Sequence, residues 1–266
     1  MLTNFHTHTV FCDGKSTAEE MVRSAIEKGF TALGFSGHGP TPYDESYCIR
    51  DLEGYWAEVL RLKAAYEKDI EIYLGIEEDM LAPADRSVYD YIIGSSHYTV
   101  IGGKHYPFDS NYDYFCEALD AFSNDLTKFA EWYFTAFCHY LHFRKPDLIG
   151  HFDLVTKFDE TQINRFLCDE NYWKMAEQFT LKALQCGSIF EVNTGLMARG
   201  YRYSPCPHER LLSIIAKNGG RVALSSDAHS KDKICSHFNE TRLLLRDIGF
   251  DCVYALYDGE WKKDYL

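Results

Sequence analysis

The chain has 266 residues, 46% hydrophobic and 25% charged, an ordinary globular composition and a length that suits one barrel-sized α/β domain. A net charge of −13, from 40 acidic and 27 basic side chains, argues against nucleic acid as the main partner, because phosphate-backbone binding shows as a basic field. Nine scattered cysteines without a C-x-x-C pair, and no signal peptide before the first strand, lead us to expect reduced thiols and a cytoplasmic protein; no apolar run approaches the ~18 residues that span a membrane, so no membrane partner is expected.

A short apolar run opens the chain and ends in His6-Thr-His8, with Asp13 following. Residues two apart on a strand share a face, so both imidazoles aim at one point, either as a metal-binding pair or as two surface histidines. A helix is predicted over 16–29, with Ser16-x-x-Glu19 as capping box and Gly29 as stop. Residues 31–36 read as a buried strand running into Gly37-His38-Gly39, and 52–68 as a second helix. A third strand over 70–76 ends in Glu77-Glu78-Asp79, and a fourth over 91–96 ends at His97. Residues 98–123, with Gly102-Gly103, Pro107 and several tyrosines, read as a long loop leading into helix. The helical stripe of 125–143 precedes a fifth strand, 147–150, which ends at His151. Then come a helix over 171–186, a strand over 189–192, a helix over 208–218, and a strand over 221–225 ending in Asp227-Ala-His229. A helix at about 239–248 and an apolar run, 252–256, close the chain and leave an extra strand open.

Strand and helix alternate without a linker-like break, which predicts a parallel α/β fold as a single domain over 1–266. In such barrels the chemistry sits where strands end. The strand ends collect His6, His8, Asp13, His38, Glu77, His97, His151, Asp227 and His229. Taken singly, His38 reads as well as a turn residue, Glu77 as a solvated charge and His97 as a core histidine. Taken together they do not, because burying such groups unpaired costs ~1–3 kcal/mol each. One ion takes three or four protein groups, so this set suits three ions with bridging carboxylates. His105, His139, His142, His208 and His237 fall outside it and read as structural or surface residues.

This series resembles the polymerase-and-histidinol-phosphatase (PHP) superfamily: H-x-H on the first strand, then Asp or His, His on the second, Glu on the third, single His on the fourth and fifth, and D-x-H on the last. The segments 4–15, Ile149-Gly-His-Phe-Asp-Leu154, Glu191-Val-Asn-Thr194 and Ser225-Ser-Asp-Ala-His229 look like its monofunctional histidinol-phosphate phosphatase branch. The resemblance implies a distorted (β/α)7 barrel and three divalent transition-metal ions, zinc, manganese or iron. It also implies ligand sets of His6, His8, Glu77 and Asp227; of Glu77, His97 and His151; and of Asp13, His38 and His229. Where the branch commonly has an arginine after its G-H-x-D segment, this chain has Lys157, which keeps the charge but not the bidentate fork.

The expected activity is that of a phosphoric monoester hydrolase in histidine biosynthesis, converting L-histidinol phosphate to L-histidinol and phosphate by in-line attack of a metal-bridging hydroxide. Asp13, His38 and His229 are the candidates for assisting the leaving alkoxide. Arg199, Arg202 and Lys157 are the candidates for binding phosphate, and Tyr43, Asp44, Glu45 and Tyr98 lie in loops suited to the imidazole and ammonium. The competing readings are a PHP phosphoesterase for another small phosphomonoester or a nucleotide, a polymerase-associated nuclease module, an amidohydrolase-type barrel, and a metal or phosphate sensor. Amidohydrolase barrels typically bridge two metals with a carboxylated lysine, and Glu77 stands at that strand end instead.

Overall fold

Short apolar segments, most of them followed by an amphipathic helix, build the barrel, and the computed structural model describes them over residues 1–266. The strands in chain order are β1 (Thr3–Asn4), β2 (Ala32–Phe35), β3 (Glu71–Asp79), β4 (Tyr91–Ser95), β5 (Thr99–Ile101), β6 (Lys104–Tyr106), β7 (Leu148–Ile149), β8 (Ile189–Asn193), β9 (Val222–Ser225), β10 (Cys252–Tyr257) and β11 (Glu260–Tyr265). Seven of them form one sheet in the order β1-β2-β3-β4-β7-β8-β9, with every neighbouring pair parallel. Its two edges meet at a single parallel bridge between Thr7 and Ala228. There the His8 amide donates to the Ala228 carbonyl at 2.9 Å and the Ala228 amide to that of His6 at 3.3 Å. The result is the expected seven-stranded parallel barrel, nearly closed.

The principal helices are α1 (Ala18–Glu27), α2 (Leu52–Ala65), α3 (Tyr112–Ala121), α4 (Leu126–Arg144), α5 (Glu170–Leu184), α6 (Gly195–Ala198), α7 (Glu209–Lys217) and α8 (Phe238–Ile248). Their apolar faces pack with outward strand residues such as Leu33, Ile72, Ile92, Phe190 and Val222 in one large buried cluster. None is long and apolar enough to cross a membrane.

Inside the barrel the period-two alternation of strands sorts chemistry by height. Along β3 the inward positions run Tyr73, Gly75, Glu77; along β4 and beyond, Tyr91, Ile93, Ser95, His97; along β8, Ile189, Glu191, Asn193; along β9 and beyond, Ala223, Ser225, Asp227. The lower members join Phe5 and Leu148 in a buried apolar floor, closed by Ala255 and Leu256. Trp261 sits under it, 5.3 Å from the Phe5 ring and 6.3 Å from Tyr91. Tyr91 spans the floor and donates to the Phe5 carbonyl at 2.6 Å. A Cβ on Gly34 or Gly75 would come within 2.3 Å or 2.2 Å of its ring or hydroxyl, so both positions must lack a side chain.

Three sequence expectations shift. The run 252–256 is not an eighth barrel strand: as β10 it pairs antiparallel with β11 and covers the floor. Residues 98–123 are not one loop. Gly102 and Gly103 both take positive φ, 58° and 83°, as a two-residue hairpin turn demands; β5 and β6 pair across it and α3 follows. The capping box of α1 is Thr17 with Glu20, one residue later than predicted, because the Ser16 hydroxyl is occupied by the Lys231 amide.

Candidate metal centre

Above the apolar floor the inward side chains become imidazoles and carboxylates, and Glu77 is their hub. Its Oε2 lies 3.1 Å from His6 Nε2, 3.5 Å from His8 Nε2 and 2.9 Å from His38 Nδ1. Its Oε1 lies 3.3 Å from His97 Nε2 and 2.8 Å from His151 Nε2. Asp227 Oδ1 faces His8 Nε2 at 3.1 Å and His6 Nε2 at 3.7 Å. Asp13 meets His229 Nε2 at 3.1 Å, His8 Nδ1 at 3.7 Å and His38 Nε2 at 3.7 Å. All nine strand-end residues singled out in the sequence thus come together. Potential ligand atoms fall within 4.8 Å of one another in three overlapping groups: His6, His8, Glu77; His38, Glu77, His97; and His8, Asp13, His38, His229. The cluster is graded in depth, from side chains 0% and 1% exposed at His6 and Glu77 to 25% and 35% at His229 and Asp13.

Without a cation this arrangement is incomplete. His6 Nε2, His8 Nε2 and Glu77 Oε2 are buried with no hydrogen-bond partner, a cost folded proteins avoid. The protonation pattern carries the same tension. Burial disfavours charge on His6, yet Glu191, Glu77 and Asp227 outweigh it and push its pKa well above the ordinary value. His97 is likewise raised against burial by Glu77 and Asp79. His8 is held down to about 3, by burial and then by His229 and His38. Glu77 stays well below the usual carboxylate range despite burial, through His6, His38 and His97. Clustered nitrogen and oxygen ligands with unmet lone pairs fit a divalent metal centre.

Neighbouring groups hold these side chains in place. Glu191, fully buried, accepts from His6 Nδ1 at 2.5 Å, from the His151 amide at 2.7 Å and from the Ser225 hydroxyl. Ser95 donates to Glu77 Oε1 at 2.7 Å, and Asp79 accepts from the His97 amide at 2.9 Å. Glu78, between two inward acids, points outward to a bidentate pairing with Arg144. Asp227 has φ of 48°, a left-handed conformation that is uncommon outside glycine and that recurs at functional sites.

A cavity of about 300 Å³ opens over the cluster, lined among others by Asp13, His38, Asp227, His229, Arg199 and Lys157. Arg199 donates to Asp227 Oδ2 at 2.9 Å and to its carbonyl at 3.1 Å. Lys157 follows a 3₁₀ turn, Leu154–Thr156, and donates to the Asp109 carbonyl. Burial lowers the Lys157 pKa, and Arg199 nearby adds to that.

Arg202, also expected at the phosphate, lies elsewhere. It is 2% exposed, absent from the cavity wall, and bonded to Asp153 at 3.2 Å, Thr156 at 3.1 Å and Ser204 at 2.9 Å. With Glu160 at 3.4 Å as a further acceptor, four of its five N–H donors are engaged away from the cavity, and its guanidinium neutralises Asp153. Asp44 and Tyr98 do line the cavity; Tyr43 and Glu45 do not, and Tyr43 instead donates to Asp79 at 2.9 Å. Tyr47, Asp109 and Tyr201 line it without having been singled out in the sequence. The five remaining histidines stay outside it: His105 stacks on Tyr43 at 4.3 Å, His208 caps α7, His237 pairs with Glu240, and His139 and His142 flank Phe143.

A nearly closed parallel barrel with a histidine- and carboxylate-lined mouth defines a class of metal-dependent barrel proteins. Within it, the chain belongs to the PHP domain family, which matches residues 4–195. It is 24% identical over 277 aligned positions to a Schizosaccharomyces pombe protein named probable histidinol-phosphatase, covering 96% of this chain and 89% of that one. It is 26% identical to the histidinol-phosphatase of Bacillus subtilis over 58% of this chain and 66% of the relative. The fold matches the crystal structure of histidinol phosphate phosphatase from Lactococcus lactis, complexed with zinc, L-histidinol and phosphate. That match has a TM-score of 0.72 and 18% identity, covering 98% of both chains.

Proposed function

We propose that this chain is a metal-dependent histidinol-phosphatase, hydrolysing L-histidinol phosphate to L-histidinol and phosphate. The observation that carries the reading is the union, in one small-molecule-sized cavity, of the Glu77-centred ligand cluster with Arg199 and Lys157. The names borne by its relatives supply the substrate. His6, His8, Glu77 and Asp227 hold one ion; Glu77, His97 and His151 a second; Asp13, His38 and His229 a third. Zinc, manganese and iron all suit these ligands.

Bound ions would supply a water of lowered pKa and neutralise phosphoryl charge. The chain's own residues do the rest. Arg199 and Lys157 take the outer phosphoryl oxygens, Arg199 as a fork and Lys157 as a point charge. Asp13, His38 and His229 stand on the more exposed side of the cluster and assist the departing alkoxide by holding the ion that neutralises its charge. The apolar floor and the buried Glu77 exclude bulk water from below. The nine cysteines, all unpaired, suit a reducing, cytoplasmic setting.

The test is phosphate release from a panel of phosphomonoesters, histidinol phosphate and nucleotides included, by metal-stripped protein resupplied with zinc, manganese or iron. Histidinol phosphate should give the highest kcat/KM. A higher value on another ester would sink the narrow assignment, and fewer than two ions per chain in protein never exposed to chelator would sink the three-ion centre.

A further inference from the structure

The carboxylates lining the cavity are Asp13, Asp44, Glu77, Asp109 and Asp227. Three belong to the proposed ligand set, and Asp109 lies 3.8 Å from the Lys157 ammonium. Asp44 alone is left without a cationic partner: it accepts from the Ser46 amide at 2.9 Å and the Tyr98 hydroxyl at 2.6 Å. The protein has positioned this carboxylate, with Tyr98 holding one oxygen and the Ser46 amide the other.

Its surroundings are aromatic. Tyr47 packs edge-on to His38 at 4.8 Å and lies near-parallel to Tyr98, 6.2 Å away at 29°. The Tyr47 hydroxyl is shielded from solvent and has no hydrogen-bond partner. Topology separates this wall from the phosphate wall. Asp44 and Tyr47 follow β2, across the barrel mouth from β7 and β8, which Lys157 and Arg199 follow; Tyr98 follows β4, next to β7. Asp44 and Tyr47 thus stand opposite Arg199 and Lys157, with the imidazole and carboxylate cluster between them, while Asp109 is taken up by Lys157.

We propose that Asp44, with Tyr47 and Tyr98, forms the subsite for the leaving group, and that it selects phosphomonoesters whose alcohol carries a positive charge beside a flat ring or chain. This rests on the phosphatase reading and assigns its specificity to residues outside the metal cluster. A carboxylate against a cation adds a charge-assisted hydrogen bond; tyrosine faces favour a cation or a planar ring. Tyr98 is a positioning residue that acts through Asp44.

The experiment compares kcat/KM for L-histidinol phosphate with that for glycerol phosphate, a neutral-alcohol ester, in the metal-loaded protein and in Asp44→Asn, Asp44→Glu and Tyr98→Phe. The ratio should fall on the order of tenfold to a hundredfold in Asp44→Asn, mostly through KM for histidinol phosphate. It should fall less in Tyr98→Phe and recover in part in Asp44→Glu. Equal losses on both esters, or no loss, would overturn the subsite. A second measurement is calorimetric binding of L-histidinol to the metal-loaded protein with inorganic phosphate present. If histidinol phosphate is not hydrolysed, the phosphatase reading fails; Asp44-dependent binding of histidinol would still uphold the subsite, and binding indifferent to Asp44→Asn would overturn it.

Discussion

Glu191 Oε1 lies 2.5 Å from His6 Nδ1, while its Oε2 accepts the His151 amide at 2.7 Å. One buried carboxylate on β8 thereby orients a proposed ligand from each of two other strands. A carboxylate only accepts, so Nδ1 of His6 carries the hydrogen and Nε2 is left to face Glu77 and Asp227. Glu191→Gln keeps the shape but loses the charge that fixes this tautomer. Metal affinity, measured by chelator competition, should fall about 10–100-fold with circular dichroism unchanged. Unaltered affinity would show that Glu191 is only packing.

Metal removal should invert the pH response. In metal-free protein His6, His97 and His229 have pKa values raised above the ordinary 6.5. Their stabilisation is complete below about 6.5 and lost as pH rises through the folded values. Glu77 and Asp227 are shifted below the ordinary 4.5 and 3.8, so their contribution is present above those values and lost as pH falls through the folded ones. His8, held down to about 3, opposes the other histidines below 6.5. Stripped protein should therefore have its highest Tm in mildly acidic solution and lose stability toward pH 8. Metal affinity should rise over the same range, because binding displaces protons. A stripped-protein Tm that climbs from pH 6 to 8 would contradict this.

Asp13 and His229 should behave as a local unit. Asp13→Asn removes a charged ligand from the most exposed end of the cluster, leaving the Glu77 groups intact. Elemental analysis should find one ion fewer per chain, with hydrolysis of histidinol phosphate sharply reduced. Full metal content in this variant would remove Asp13 from the ligand set.

Arg199 and Arg202 should separate cleanly. Arg202→Ala strands Asp153, which is 0% exposed and held at 3.2 Å, and should cost about 3–5 kcal/mol of stability in denaturant titration. Folded Arg202→Ala should keep its kcat. Arg199→Ala should cost less stability than Arg202→Ala, because Asp227 keeps His6 and His8 beside it, yet should lose kcat/KM for every phosphomonoester. A similar stability loss in both would refute the distinction.

Much of this was legible because the barrel turns a local rule into a site. Period-two alternation carries Tyr73 to Glu77 and Tyr91 to His97, so ligands appear in sequence where apolar runs stop. What sequence could not separate was tertiary. Arg199 and Arg202 stand three residues apart in one loop, and nothing local says that Arg202 turns inward to Asp153, 49 positions earlier. Glu191 stood out as part of a motif, but its partner His6 lies 185 positions away. Asp44 looked like its neighbours Tyr43 and Glu45 until the fold tied it to Tyr98. Residues 98–123 hid a hairpin because paired glycines mark a turn without showing which strands it joins.

The bridge from Thr7 to Ala228 has a consequence for how the protein is made. Asp13 and His229, in contact at 3.1 Å, are separated by 216 positions. A ribosome exposes His6 and His8 long before Asp227 exists, so the proposed ligand set stays incomplete for nearly the whole of synthesis. Closing so long a loop costs only about 0.6 kcal/mol more per doubling of length, so the delay is one of timing rather than of energy. On the proposed ligand set, a chain ended before Asp227 cannot complete the centre.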